Sequence, residues 1–157
     1  MKDKPLVSVV IPTKNSGLYL ENCLRSIRQQ SYKNIEIIIV DGNSTDNTKS
    51  IVIKYRAKIL QFDPKLPKDK FDAPHRRNYG VKKSKGEYIY YADADYEFTI
   101  NVIKECVIKG IQGYDAVINP LDTFGIGIWA KARNLERRCY FGADTVEAPR
   151  FFRKSVW

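Results

Sequence analysis

Two aspartates one residue apart, Asp93 and Asp95, close the apolar run in YIYYADADYEF (residues 88–98). A buried strand does not normally end in paired negative charges. In extended backbone, residues i and i+2 point to one side. Their carboxylates would therefore repel unless a cation or a shared proton lay between them. Mg2+ and Mn2+ prefer oxygen ligands, and one or two carboxylates plus substrate phosphates suffice to hold one. Beside a diphosphate, such an ion is a Lewis acid that stabilises charge on the leaving phosphate. Two ordinary loop aspartates, one capping a turn, fit the same pattern, because so short a motif matches often.

Asp41 follows a second apolar run. Asp41-Gly42 is a turn signal, and the same exposed geometry suits a carboxylate that accepts hydrogen bonds from a nucleobase or ribose. Arg76, Arg77 and Asn78 lie on a segment opened by Pro74. The planar fork of arginine binds diphosphate oxygens in pairs. A solvated helix face accounts for Arg76 equally well, and His75 reads as a surface residue.

The elements that must position these groups follow from periodicity. Leu6–Ile11 and Ile35–Val40 are short apolar runs, read as strands buried on both faces. Leu20, Cys23, Leu24 and Ile27 recur at helical spacing between them. Ser44 or Thr45 can cap a helix that turns Ile51, Val52 and Tyr55 to one side. Lys58–Phe62 fits a third strand, and Pro74 the first turn of a helix running to about Ser84. A strand follows from Gly86. Thr99 can cap a helix with Ile100, Ile103 and Val107 inward. Tyr114–Asn119 fits a strand, and Phe151-Phe152 opens a last extended piece. Strands alternating with helices predict an α/β fold with a mostly parallel, Rossmann-like sheet flanked by helices on both faces. Ligands of such sheets bind beyond the carboxyl ends of the strands. Pro12-Thr13-Lys14-Asn15, Asp41–Ser44 and Asp93–Asp95 all fall at such ends.

The 157 residues, 43% hydrophobic, are enough for one domain with a sizeable core. No apolar run approaches the ~18–20 residues of a membrane span, and no signal-peptide cleavage site is visible. Cys23, Cys106 and Cys139 have neither metal-ligand nor disulfide-framework spacing. They read as small core residues in a reducing compartment. The expected location is the cytoplasm or the cytoplasmic face of a membrane. Dinucleotide, P-loop and serine-hydrolase motifs are absent. The net charge of +9 is concentrated. Residues 65–85 carry eight basic and two acidic side chains, and residues 129–157 seven and three. Such stretches favour phosphorylated ligands or anionic surfaces. No nucleic-acid-binding motif accompanies them, so nucleic acid is not an expected partner.

VSVVIPTKN, EIIIVDGNSTDNT and RRNYGVKKSKGEYIYYADAD together resemble, in order and spacing, the signature blocks of family-2 glycosyltransferases with the GT-A fold. The resemblance covers Leu6 to about Phe98 and continues more loosely to the end. It implies one GT-A domain over 1–157, with a nucleotide-sugar-binding half (1–98) and the start of an acceptor half (99–157). It also implies sugar transfer, with inversion, from a nucleotide-diphosphate sugar, a UDP- or GDP-sugar, using Mn2+ or Mg2+. Carried over by position, Pro12, Thr13 and Asn15 line the nucleoside pocket and Asp41 contacts the base or ribose. Arg77 and Asn78, with Gly80, stand near the diphosphate. Asp95 is expected to ligate the metal, with Asp93 as second ligand or nearer the ribose or sugar. Gly42 departs from members with a second acidic residue there.

The resemblance weakens near the C-terminus. APRFFRKSVW looks like the lead-in to a Gly-Gly-Phe-Asp stretch, with the acidic block that supplies the base later still. Inverting transfer needs a base for the acceptor hydroxyl. Asp144 and Glu147 are the nearby acidic residues, and neither matches the family's base by motif. The expectation is a fragment holding the donor half, or else a module that binds a nucleotide-sugar without turnover. The acceptor is not legible. Phe124–Arg138, with Trp129, Ala132 and Leu135 at helical spacing, reads as a core helix with a solvated basic face. Contact of its basic and aromatic residues with lipid headgroups, or with a lipid-linked phosphate acceptor, is the other reading.

Overall fold

The computed structural model describes residues 4–62, 72–140, 142 and 148–157. Its framework is a six-stranded sheet in the order β3-β2-β1-β4-β6-β5. Strand β1 (Val7–Thr13) is buried along its whole length. It pairs in parallel with β2 (Ile35–Asp41) and β4 (Tyr88–Tyr91), and β2 pairs with β3 (Lys58–Gln61). β6 (Phe151–Arg153) runs antiparallel between β4 and β5 (Ala116–Val117). The expected mostly parallel sheet is present, with β6 as the reversed strand.

Alternation along the strands divides the core. Val7, Val9, Ile11, Ile37, Ile39, Tyr88 and Tyr90 face three helices, α1 (Leu20–Arg28), α2 (Thr48–Lys54) and α4 (Val102–Ile111). Val10, Ile38, Val40 and Ile89 face the opposite side, where Val81 of α3 (Ala73–Lys83) packs. Gly80 brings α3 close to the sheet. A Cβ there would stand 2.4 Å from Val10 Cγ1 and 2.8 Å from Val40 Cγ2. This glycine, expected near a diphosphate, has a packing role. Gly80→Val is expected to destabilise the domain by about 3 kcal/mol, the upper range for overpacking, read as a lower urea midpoint at unchanged slope.

Several boundaries differ from the sequence reading. α2 begins at Thr48 rather than at Ser44 or Thr45, because Ser44 and Thr45 bond to Asp41 and Asn15 instead. α4 begins at Val102, and Ile100 is 61% exposed. The Thr99 carbonyl there accepts from Gln30 Nε2 at 2.8 Å. β5 has two residues where six were expected. The largest correction is α5 (Ile128–Cys139). Read as a core helix, it buries no residue at all. Spacing identifies an apolar side of a helix but not the direction that side faces. Among the described residues, no helix is long and apolar enough to cross a membrane.

Candidate functional site

The carboxyl ends of β2, β1 and β4 lie side by side, and their registers bring three polar loops together. Thr13 pairs with Asp41 across β1 and β2. The Ala92 amide donates to the Val10 carbonyl at 3.1 Å, so the chain leaves β4 for Asp93 beside the end of β1.

Asp41 is fully buried. Its Oδ2 accepts from the Ser44 amide at 3.1 Å, and its Oδ1 from Ser44 Oγ at 2.5 Å and Thr13 Oγ1 at 3.3 Å. Ser44 Oγ in turn accepts from the Asn15 amide at 2.9 Å, and Asn15 Oδ1 accepts from the Thr45 amide at 2.9 Å. Asn15 and Asn43 adopt φ of 52° and 59°, the left-handed region that asparagine enters more readily than most residues. The two loops are thus laced into one surface. Pro12 and Thr13 are buried beneath it, and Asn15 is exposed on it.

Arg76 is buried rather than solvated. Its Nη1 donates to the Thr13 carbonyl at 2.7 Å, and its Nη2 lies 2.7 Å from Asp72. Burial draws its pKa down, while Asp72 and Asp41 oppose the shift. A Cβ on Gly42 would fall 2.3 Å from Arg76 Nη1. Gly42 therefore leaves room for the guanidinium, which accounts physically for a glycine at that position. Arg76 supports the loops from below.

Arg77 projects to the other loop. Its Nη2 is paired with Asp93 Oδ1, and Arg150, just before β6, approaches Asp93 Oδ2 at 3.5 Å. Both guanidiniums lie over the Tyr91 ring, at 5.2 and 5.1 Å from its centroid, and Arg150 also lies 4.8 Å from that of Tyr96. Such stacking fixes the arginines while leaving donor edges for an anion. Asn78 and His75 are exposed on α3, and neither makes a side-chain hydrogen bond among the described residues. Arg150 was missed by the sequence reading. It lies 57 residues from Asp93, and no local pattern marks it.

Asp93 and Asp95 do not share one side of an extended strand. The Tyr96 amide donates to the Asp93 carbonyl at 3.2 Å, closing a turn over Ala94-Asp95. Asp93 faces the two arginines. Asp95 is exposed and forms no ion pair among the described residues. It lines a half-open cavity of about 480 Å3, with Tyr96, Phe98, Asn119, Asp122 and Arg137. That volume falls in the ~300–1,000 Å3 range of small-molecule sites. Burial pushes the Tyr96 hydroxyl up to about 12, so this residue presents a neutral phenol. Burial, with Asp95 and Asp93 nearby, pushes Cys23 up to about 12, so it is a neutral thiol. Among the described residues no group of three or more histidine, cysteine and acidic side chains could hold a metal alone. Asp95 fits an ion completed by substrate phosphates. Asp93, engaged by two guanidiniums, fits that role less well. Asp144 and Glu147 lie outside the described residues.

Comparison with known proteins agrees with this arrangement. The chain is 38% identical over 111 residues to glycosyltransferase GlyG of Streptococcus pneumoniae, covering 71% of this chain and 36% of that protein. It is 31% identical over 134 residues to the GalNAc(5)-diNAcBac-PP-undecaprenol beta-1,3-glucosyltransferase of Campylobacter jejuni, covering 85% and 41%. The chain thus spans well under half the length of either relative. The crystal structure of S. aureus TarS 1-349 superposes with a TM-score of 0.67 at 27% identity, covering 78% of this chain and 38% of that one. TarS 1-349 in complex with UDP-GlcNAc matches with a TM-score of 0.62 at 25% identity, covering 78% and 37%. The fold is that of the GT-A glycosyltransferases. The model of glycosyl transferase family 2 matches residues 8–155, nearly the whole chain, and the protein belongs to that family.

Proposed function

We propose that this chain forms the donor side of a glycosyltransferase, which binds a nucleotide-diphosphate sugar across the ends of β2, β1 and β4. The observation that carries this reading is the position of Arg77 and Arg150, from separate elements, held beside the exposed carboxylate of Asp95. Two forked cations with a metal-capable carboxylate are what a diphosphate requires. Thr13, Asn15 and Asp41 shape the nucleoside subsite above Pro12, with Asp41 acting through the loops it fastens. Arg77 and Arg150 take the diphosphate oxygens by exchanging their bonds to Asp93. Asp95 holds Mn2+ or Mg2+, which supplies Lewis-acid stabilisation of the departing diphosphate. The cavity beside Asp95 receives the sugar.

The TarS complex favours a UDP-sugar among the UDP- and GDP-sugars. Transfer proceeds with inversion, and a base, with Asp144 and Glu147 as the candidates in this chain, takes the acceptor proton. The test is a thermal-shift screen of UDP, GDP, dTDP and CDP with Mn2+, followed by a donor-hydrolysis assay. Binding to the native state alone raises apparent stability, so one or two of the nucleotides should raise the melting temperature selectively. No shift with any of them contradicts the donor-site reading. A shift without hydrolysis or transfer contradicts turnover by this chain and leaves a binding module.

A further inference from the structure

α5 is amphipathic in the inverted sense. Its half-buried residues are Ala130, Asn134 and Arg137. Asn134 Oδ1 accepts from the Thr123 amide at 3.2 Å, Arg137 lines the cavity, and Arg138 Nε lies 3.5 Å from Asp122. This mostly polar side seats the helix on the body of the protein. Ile128, Ala132, Leu135 and Cys139, spaced by three and four residues, share the opposite side. All four are exposed, with Ile128 at 77% and Leu135 at 67%. The adjoining turn adds Ile126 at 105%, and the first helical turn adds Trp129 at 85%. Lys131 and Arg133 flank the apolar stripe on either side and are exposed. The helix carries four basic residues and one acidic, a net +3.

We propose that this face is a peripheral docking surface for an anionic lipid bilayer. An exposed apolar stripe between basic flanks, with tryptophan at one end, is the pattern of a helix lying in the membrane interface. The stripe enters the acyl boundary, the flanks meet anionic headgroups, and Trp129 sits at headgroup level. Charge decides against a second copy as the occupant, because symmetric pairing would set two +3 helices against each other. The seating of α5 through Asn134 and Arg137 fixes the orientation of the protein on the surface, with the cavity on the inner side of the helix. The inference stands on α5 alone and is independent of the donor reading.

The test is flotation with phosphatidylcholine vesicles, with and without about one third phosphatidylglycerol. The chain is expected to float with the anionic vesicles only and to be released as salt rises. In a Trp157→Phe background, Trp129 emission should shift to the blue on binding. The double variant Ile128→Asp/Leu135→Asp should lower vesicle partition at least about tenfold, with unchanged far-UV circular dichroism because both positions are exposed. Failure of the parent chain to float, or flotation of the double variant equal to the parent's, overturns the proposal. So does a concentration-dependent dimer that the double variant abolishes, which would assign the face to a second copy. Nucleotide binding, measured in parallel, should be the same in parent and double variant, so the two readings fail separately.

Discussion

Asp95→Ala will weaken Mn2+-dependent binding of a nucleoside diphosphate by about 100-fold or more, a loss of ~2.7 kcal/mol, while moving the melting temperature by less than about 2 °C. The asymmetry follows from its surroundings. Asp95 stands on an exposed turn and has no ion pair among the described residues, so folding loses little when the carboxylate is removed. A hard cation completed by phosphates loses its protein ligand. Asp93→Ala makes the useful contrast. It releases Arg77 and Arg150 from the carboxylate that holds them, so it should lower stability and disturb binding together. Calorimetric titration with a melting curve for each variant separates the two. Equal binding by the Asp95 variant and the parent would remove the metal from the account.

Asp41→Ala will destabilise the domain by about 3 kcal/mol, because the carboxylate is fully buried and three donors lose their acceptor. Thr13 and the Ser44 amide would remain in a closed site without a partner, and the lacing of the 12–15 and 41–45 loops would fail with them. Asp41→Asn keeps one carbonyl acceptor and the shape of the side chain, so its loss should be about half as large. Both variants should weaken nucleotide binding as well as stability, since the nucleoside subsite is built on these loops. Urea denaturation gives the stability term. An Asp41→Ala chain that unfolds at the parent midpoint contradicts the role given to this residue.

Much of the framework was legible in the sequence. β1 and β2 are apolar runs buried on both faces, and a central parallel strand leaves no polar face to blur the pattern. The three polar clusters were correctly placed at strand ends. Helix starts were less legible because the residues that decide them are far apart. Asp41 takes Ser44 away from a capping role, and Gln30 binds the Thr99 carbonyl from 69 residues away. The i and i+2 argument for Asp93 and Asp95 failed where the backbone turned over Ala94. Arg76 was read as solvated because nothing local shows that Gly42 makes room for it. For α5, the spacing of apolar residues was read correctly and its direction was not. The side chains that seat the helix, Asn134 and Arg137, were on the side taken for solvent.

The central claim is that Asp95, Arg77 and Arg150 form a metal-assisted diphosphate site. Its most direct test is calorimetric titration of the chain with UDP and with GDP, in Mn2+ and again in excess chelator. The account predicts one-site binding of at least one nucleotide in Mn2+ and a loss of about tenfold or more in chelator. Equal affinity in the two conditions, or no binding of either nucleotide in Mn2+, would contradict it.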